Sequence, residues 1–406
     1  MSILKRGGSP WMRIACAALI LAGAAACSKK PTQQEIDGQH LLDAARGDDL
    51  KTVHALLAHG TSVNWKGKYD ATAILIASQQ GNLDVVEALL KAHADPNAKT
   101  SDVGVHPLAV AAVGGYDAVV QALLAAGAKV DGADTNGNTA LTMASQFGHI
   151  EVVKTLLMAH ANPEGMRSNT GTPLMVALAK SHNDVAQALL DGGANVNAIS
   201  KAGTALMQAV IGRNIDGVRF LLANHADVDE KIANGATAIY ESAQDDQPEI
   251  MRVLIAAGAN LNTPMRDGST PLMVASQNGS EACVNTLIDA GANANAAMPD
   301  GTTAMMLAAQ HNESNIIFRL LDAHADINAR KHQIGATALM IAAESGQIDS
   351  LRELIDHHAD VNAKTWEHPG RTAVDFANTI FDSDKKATIV NALEAAGAHA
   401  GIPDSN

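Results

Sequence analysis

One stretch of the chain has the residue types of a calcium loop. Acidic and amide side chains stand at positions 131, 134 and 136 of the segment 131–137, which reads Asp-Gly-Ala-Asp-Thr-Asn-Gly. A calcium loop of the helix–loop–helix type needs a bidentate Glu at its twelfth position, and that position is Thr142. The segment also falls where other parts of the chain place a turn. We therefore interpret it as a turn and predict no metal site.

The sequence also lacks the motifs that carry most enzyme chemistry. It has no Gly-x4-Gly-Lys phosphate loop, no His-Glu-x-x-His, no Gly-x-Ser-x-Gly and no paired Cys-x-x-Cys. Its three Cys include only one, Cys283, beyond residue 27, so no disulfide framework is expected. Cys283 stands in an apolar slot of a helix pattern, which favours a buried core position. We predict no enzyme activity and no cofactor.

A Thr followed by a short apolar helix pattern recurs along the chain. Successive copies lie 32 to 35 residues apart, and an internal period of this length indicates a solenoid. Each helix pattern is near ten residues, below the roughly 12–15 residues that an isolated helix needs for marginal stability. The helices must therefore pack on their neighbours. The pattern begins at Thr72, His106, Thr139, Thr172, Thr204, Thr237, Thr270, Thr303, Thr337 and Thr372.

The residues of these copies resemble the ankyrin repeat. Thr172 and Thr270 begin the phrase TPLMVA, and paired aliphatic residues and GANVN or GANAN follow in each copy. The resemblance implies an all-α solenoid of helix-turn-helix units with short β-hairpin fingers. The array would span residues 37–400, with a divergent first unit at 37–63 and about ten further repeats, the last of which is a cap.

The resemblance also assigns structural roles to several His and Met residues. In the family, the residue after the second helix ends it in a left-handed conformation, which Gly adopts without strain and His tolerates. This slot holds His in five copies, and we expect these histidines to be structural. The fourth position of the Thr phrase is Met in five copies, which we interpret as packing between repeats. The five histidines are His93, His160, His225, His324 and His358.

The first 26 residues have the pattern of a secretory signal peptide. A positive start precedes the apolar run 14–21 and the small residues 22–26, and the run is too short to span a bilayer permanently. The junction before Cys27 resembles a bacterial lipobox. This implies cleavage after Ala26, lipidation of Cys27 and, because Ser28 follows, an outer-membrane anchor in the periplasm of a bacterium. A lipobox usually has Leu where this chain has Ala24, so plain secretion is the alternative.

Two polar segments flank the array. Residues 27–36 are predicted to be a tether, and residues 401–406 a tail. The chain has a net charge of −14, which becomes −17 when a signal with three positive charges is removed. Binding to nucleic acid needs Lys and Arg against phosphate, so we predict none. An acidic chain instead suits a basic protein surface.

The fingers, which lie between each repeat's last Asn or Asp and the next Thr, carry the candidate binding residues. Both Trp residues beyond the signal lie in fingers, and basic residues collect there. Trp, Tyr and Arg dominate interface energetics when a partner buries them. The alternative is that each Trp only packs over a neighbouring finger. The candidates are Trp65, Lys66, Lys68, Tyr69, Lys99, Arg167, Arg266, Arg330, Lys331 and Trp366.

These patterns favour a protein-binding role. We predict a scaffold or adaptor that binds a partner protein through its concave finger face and is a monomer. It would touch the membrane only through its lipid anchor. The alternative is an inhibitor of the immunity type, which neutralises a secreted toxic enzyme, because an acidic surface would steer a basic toxin toward it.

Overall fold

The protein is described by a computed structural model that covers residues 31–165, 171–201, 203–367 and 370–401. Within these residues the chain forms eleven consecutive pairs of α-helices and one 3₁₀ turn, Lys68–Asp70. The helices are α1 (Gln33–Arg46), α2 (Leu50–Ala58), α3 (Ala73–Gln80), α4 (Leu83–Lys91), α5 (Pro107–Gly114), α6 (Asp117–Ala125), α7 (Ala140–Phe147), α8 (Ile150–Met158), α9 (Pro173–Ala179), α10 (Asn183–Asp191), α11 (Ala205–Ile211), α12 (Ile215–Ala223), α13 (Ala238–Gln244), α14 (Pro248–Ala256), α15 (Pro271–Gln277), α16 (Glu281–Asp289), α17 (Ala304–His311), α18 (Ser314–Asp322), α19 (Ala338–Ser345), α20 (Ile348–Asp356), α21 (Ala373–Ala377) and α22 (Ser383–Ala395).

The helices form two layers. Each odd-numbered helix contacts the next odd-numbered helix, each even-numbered helix contacts the next even-numbered one, and the two members of a pair contact each other. One continuous apolar core therefore runs between the layers. This arrangement confirms the predicted all-α solenoid, in which each unit buries its apolar side against its neighbours.

From α3 onward, the first helix of each pair is buried on nearly all sides. In α19, for example, Leu339, Met340 and Ala343 are at most 1% exposed. Its start is fixed by Thr337, whose hydroxyl accepts the Met340 N–H at 3.4 Å, as an N-cap does. Its end is fixed by Gly346, which is left-handed at φ 71°.

The structural roles predicted for His and Met are confirmed. The five histidines that follow a second helix have φ between 60° and 65°, the left-handed region that ends a helix. The five Met residues at the fourth position of the Thr phrase are at most 1% exposed, so they pack between repeats. These are Met175, Met207, Met273, Met306 and Met340.

A ladder of side-chain hydrogen bonds joins every described repeat to the next. In each bond an Asn, Asp or Glu side chain accepts a backbone N–H of the following repeat, at 2.6 to 2.9 Å. The bonds satisfy loop N–H groups that have no helical partner. The acceptors are Asn64, Asn97, Asp131, Glu164, Asn197, Asp229, Asn262, Asn295, Asn328 and Asn362.

The described fingers are hydrogen-bonded turns and contain no strand. Single β-bridges join Ala133 to Thr139, Ser200 to Gly203, and Ala297 to Thr303. Only one or two backbone hydrogen bonds close such a finger; for example, the Met298 N–H donates to the Thr302 carbonyl at 2.9 Å. The finger is too short to form a longer ladder of β-sheet hydrogen bonds. The predicted hairpins are therefore present in their simplest form, as turns.

The two ends of the array are built differently from its middle. α1 begins at Gln33, inside the segment 27–36 that the sequence indicates as a tether, because Thr32 and Glu35 form a reciprocal capping box. At the other end, α21 is short, α22 is long, and the Gly401 N–H donates to the Asp375 carboxylate at 2.7 Å. The predicted signal peptide at residues 1–26, Cys27 and residues 402–406 lie outside the described residues. Among the described helices, none combines the length and apolar character needed to cross a membrane.

Candidate protein-binding surface

The fingers lie in a row, which we call the finger face, and backbone bonds join five of the pairs of neighbouring tips. Backbone bonds join neighbouring finger tips: Ser101 N–H donates to the Tyr69 carbonyl at 3.0 Å, and Trp366 N–H donates to the Ile334 carbonyl at 3.1 Å. Equivalent bonds join the tips at Thr135, Arg266 and His332 to the fingers before them. These bonds hold the backbone of the joined tips in place before any partner arrives.

In the first finger, Trp65 packs back onto the array. Its indole ring is half-buried and lies against Gly38 in the middle of α1. A Cβ atom on Gly38 would lie only 2.3 to 2.5 Å from the ring atoms Cδ2, Cε2 and Cγ. A Cβ atom on Gly67 of the same finger would lie 3.3 Å from the ring atom Cζ3. This position supports the packing interpretation of Trp65, although the ring covers a helix and not a neighbouring finger.

Tyr69, in the same finger, points its ring outward under backbone strain. The residue is 58% exposed, and its φ of 58° and ψ of 30° are left-handed, an outlier for a bulky side chain. The next residue, Asp70, is also left-handed at φ 59°. Such strain persists only where the surroundings fix it, and here the Gly67 N–H donates to the Ala71 carbonyl at 2.9 Å.

One charged residue of the first finger lies over the Tyr69 ring. The ammonium of Lys68 lies 4.8 Å from the ring centroid, within cation–π range. Lys66 lies 3.9 Å from Asp70 in an exposed ion pair, which stabilises the fold little. Lys99, in the second finger, donates to the Ala133 carbonyl at 3.3 Å. The first finger thus presents one aromatic ring with exposed cations beside it.

The last two fingers present a second exposed apolar group. Trp366 is 55% exposed and Ile334 is 40% exposed. The Trp366 ring lies over Gly335 of the finger before it, where a Cβ would come within 2.9 Å of Cγ, Cδ1 and Nε1. Arg330 bridges the two fingers by donating to the Lys364 carbonyl at 2.7 Å and to the Gly335 carbonyl at 3.3 Å. Trp366 therefore packs on its neighbour and still leaves much of its ring open.

The remaining candidates lie between or beside these two groups. Lys331 pairs with Asp300 of the preceding finger at 3.3 Å, and Arg266 is exposed on a finger tip. Arg167 lies outside the described residues. The structure thus brings the candidates together as two clusters at opposite ends of the finger face and does not form one continuous patch. Sequence reasoning missed Ile334, whose only signal was an apolar residue in an otherwise polar finger.

The groups that could have done chemistry are used by the fold. Asp134 accepts the N–H groups of Asn136 and Asn138, both at 2.8 Å, and so holds the turn that resembled a calcium loop. The described residues contain no group of three side chains that could hold a metal. Cys283 is fully buried, and burial with the nearby Asp246 raises the pKa of its thiol to about 12, which makes it inert.

His106 is the one buried histidine that starts a helix within the part of the chain that the structure describes. Its Nδ1 accepts the Ala109 N–H at 3.4 Å, and its Nε2 donates to the Gly132 carbonyl at 2.6 Å. Burial lowers the pKa of His106; the bond to Gly132 opposes this shift, nearby Lys99 adds to it, and Asp134 opposes it. The neutral ring therefore serves as an N-cap in place of Thr.

Comparisons with known proteins identify the repeat. A family model described as ankyrin repeats (3 copies) matches residues 14–100, 100–165, 159–232, 206–298 and 290–365. The crystal structure of the human ASB11 ankyrin repeat domain is similar to this chain, with a TM-score of 0.50 and 26% identity. That match covers 55% of this chain and 99% of the ASB11 chain. A search of curated proteins found no match.

Proposed function

Because this chain belongs to the ankyrin repeat family, whose repeats generally bind proteins, we propose that it is a protein-binding scaffold that holds its partner on the finger face. The observation that carries the proposal is the exposure of Tyr69 and Trp366 on finger tips that are each hydrogen-bonded to a neighbouring finger. Large aromatic side chains become the main anchors of an interface when a partner buries them. We also propose that the scaffold is a monomer.

The proposal extends to where the scaffold works. The positive start, the apolar run 14–21 and the small residues before Cys27 support export and lipid anchoring in the outer membrane, facing the periplasm of a bacterium. Mass spectrometry of the mature N-terminus checks this. A diacylglycerol-modified Cys27 supports the anchor, and Cys27→Ser should then move the protein from the membrane fraction to the periplasmic fraction. An unmodified N-terminus after Ala26 would support plain secretion instead.

Site-specific photocrosslinking tests the use of the finger face. A photoreactive amino acid replaces Tyr69 or Trp366 in the cells' own protein, and the control replaces Met158, which is 74% exposed at the end of α8. We expect one protein of defined mass to be crosslinked from both finger positions and not from Met158. Crosslinks from Met158 alone, or from none of the three positions, would refute binding through the fingers.

The inhibitor remains a second candidate, because the mature chain, with −14 − 3 = −17 charges, would attract a basic toxic enzyme. An immunity-type inhibitor should bind its enzyme with nanomolar or tighter affinity and stop its activity, whereas a scaffold leaves the activity of its partner intact. An activity assay of the crosslinked partner, with and without stoichiometric scaffold, separates the two roles.

A further inference from the structure

We propose that the last two fingers bind an acidic peptide segment that carries one large apolar side chain. The site, which we call the C-terminal finger patch, consists of Arg330, Lys331, Ile334, Lys364 and Trp366. The proposal rests on the proposed scaffold function and specifies which partner chemistry one end of the finger face accepts.

The apolar part of the patch consists of two side chains from adjacent fingers. The backbone bond from Trp366 to Ile334, at 3.1 Å, places these residues next to each other. Trp366 is 55% exposed and Ile334 40% exposed, while the Met and Leu residues of the neighbouring first helix are buried. An aromatic ring and an aliphatic side chain that share one exposed surface favour a partner with a large apolar side chain.

The patch is rigid before it binds. Arg330 ties its own finger to the next through the Gly335 and Lys364 carbonyls. The Lys331 N–H closes its finger onto the Ala336 carbonyl at 2.9 Å. Since these contacts already fix the fingers, the fingers lose less conformational entropy when a partner binds than mobile loops would.

The charge of the patch is opposite to the charge of the chain. The last two fingers, 329–336 and 363–371, contain four Arg or Lys residues and one Glu, a net charge of +3, against −14 for the whole chain. Lys331 is neutralised by Asp300 at 3.3 Å. Arg330 binds only carbonyl oxygens among the described residues, which leave its charge uncancelled, and Lys364 is exposed.

These charges select carboxylates over other anions. A guanidinium and an ammonium beside an apolar surface suit Asp or Glu side chains that flank an apolar residue. A nucleic acid would need many phosphate contacts and would be repelled by the acidic remainder of the chain. The preferred ligand is therefore a short acidic protein segment.

Selection from a peptide library tests the proposal. A phage-displayed library of random 12-residue peptides is panned on the purified full chain after depletion on the Trp366→Ala variant. We expect the retained peptides to contain two or more Asp or Glu residues around one aromatic or aliphatic residue. The recovery of neutral or basic peptides, or of no peptide specific for the wild-type protein, would overturn the proposal.

The affinity of the best peptide is then measured by fluorescence polarisation. Trp366→Ala should weaken binding about thirty-fold, as loss of an interface anchor does. Lys364→Glu leaves the packing untouched and should weaken binding about ten-fold, with a flatter salt dependence. The matched control Lys201→Glu alters an exposed finger lysine far from the patch and should change the affinity less than about two-fold. An equal loss in Lys201→Glu would overturn the proposal, because it would reflect general charge and not this site.

Other occupants give different results. Tighter binding of a 12-nucleotide single-stranded DNA than of the peptide, or self-association in light scattering that Trp366→Ala abolishes, would overturn the proposal in favour of that occupant. Peptides that bind through Tyr69 alone would overturn it while leaving the scaffold function intact. The scaffold function itself fails only if the finger positions give no crosslink.

Discussion

Gly38→Ala should destabilise the first repeat, although the same change usually stabilises a helix. Gly38 lies in the middle of α1, where Ala is favoured over Gly by about 0.5–1 kcal/mol. Here, however, the added Cβ would lie 2.3 Å from the Trp65 ring. A contact this short forces the ring or the helix to move, and such overpacking costs about 1–3 kcal/mol. Subtracting the helix gain leaves a net loss of about 1 kcal/mol in the stability of this end, within a range of roughly 0–2.5 kcal/mol.

The loss should be confined to the first repeat. A solenoid unit contacts only its neighbours, so an end unit can open without the rest. Hydrogen exchange of the α1 amides in the full chain measures the free energy of this local opening directly. We expect faster exchange in α1 and α2 and unchanged exchange in the central repeats, where Leu189 serves as a fully buried reference.

The double variant of Gly38→Ala and Trp65→Ala tests whether the clash with the Trp65 ring causes the predicted loss of stability. Without the indole ring, the added Cβ of Gly38→Ala has no atom to clash with. The free energy of opening of α1 should then rise by the usual helix gain of about 0.5–1 kcal/mol, and exchange in α1 should be slower. A stabilising effect of Gly38→Ala with Trp65 present, or an equal loss with and without Trp65, would refute the packing that we describe.

Three further predictions concern the core, pH and the strained finger. Leu189→Ala should lower the free energy of unfolding by about 2–5 kcal/mol, measured by urea denaturation, because Leu189 is 0% exposed. The pKa of His106 is lowered in the folded chain, so on acidification the unfolded chain takes up the proton first. The stability that neutral His106 contributes is therefore complete above about pH 6.5 and is lost as the pH falls toward the folded pKa. Thermal melts of His106→Thr at different pH values should lose this part of the acid sensitivity. Tyr69→Gly should raise stability by about 1 kcal/mol by relieving the positive φ, but should weaken partner binding, whereas a gain in both would argue against Tyr69 as an anchor.

The sequence predicted the architecture well because the repeat is encoded locally. Each Thr cap, apolar stripe and left-handed Gly or His lies within about one repeat, and the period aligns the copies. The left-handed His residues and the buried Met residues were predictable for the same reason. The form of the fingers was not, because a hairpin and a turn differ here by one or two backbone bonds.

The roles of the two Trp residues needed the structure. Trp65 packs against Gly38, 27 positions earlier, and a single Gly within a helix pattern does not indicate what covers it. Trp366 lies beside Ile334 because finger tips pair 32 residues apart. The 32-residue offset follows from the repeat period. The exposure of each Trp ring, however, depends on the side of the finger on which that ring lies. The sequence placed both Trp residues in fingers and could not distinguish the packed ring from the open one.

The negative charge of the whole chain favours a basic partner, whereas the positive charge of the C-terminal finger patch favours an acidic one. Which of the two charges a partner feels depends on its distance from the fingers. Salt screens exposed charges over about 8 Å at physiological ionic strength. The net charge of −14 therefore acts on the approach of a partner, while the cations near Trp366 act on the partner once it touches the fingers. A basic toxin would be attracted in general but would meet Arg330 and Lys364 at this end, where like charges oppose it. Rising salt should thus weaken the binding of a partner at the patch only if the part of the partner that contacts the patch is acidic. Lys364→Glu should weaken the binding of such an acidic partner and strengthen the binding of a basic protein.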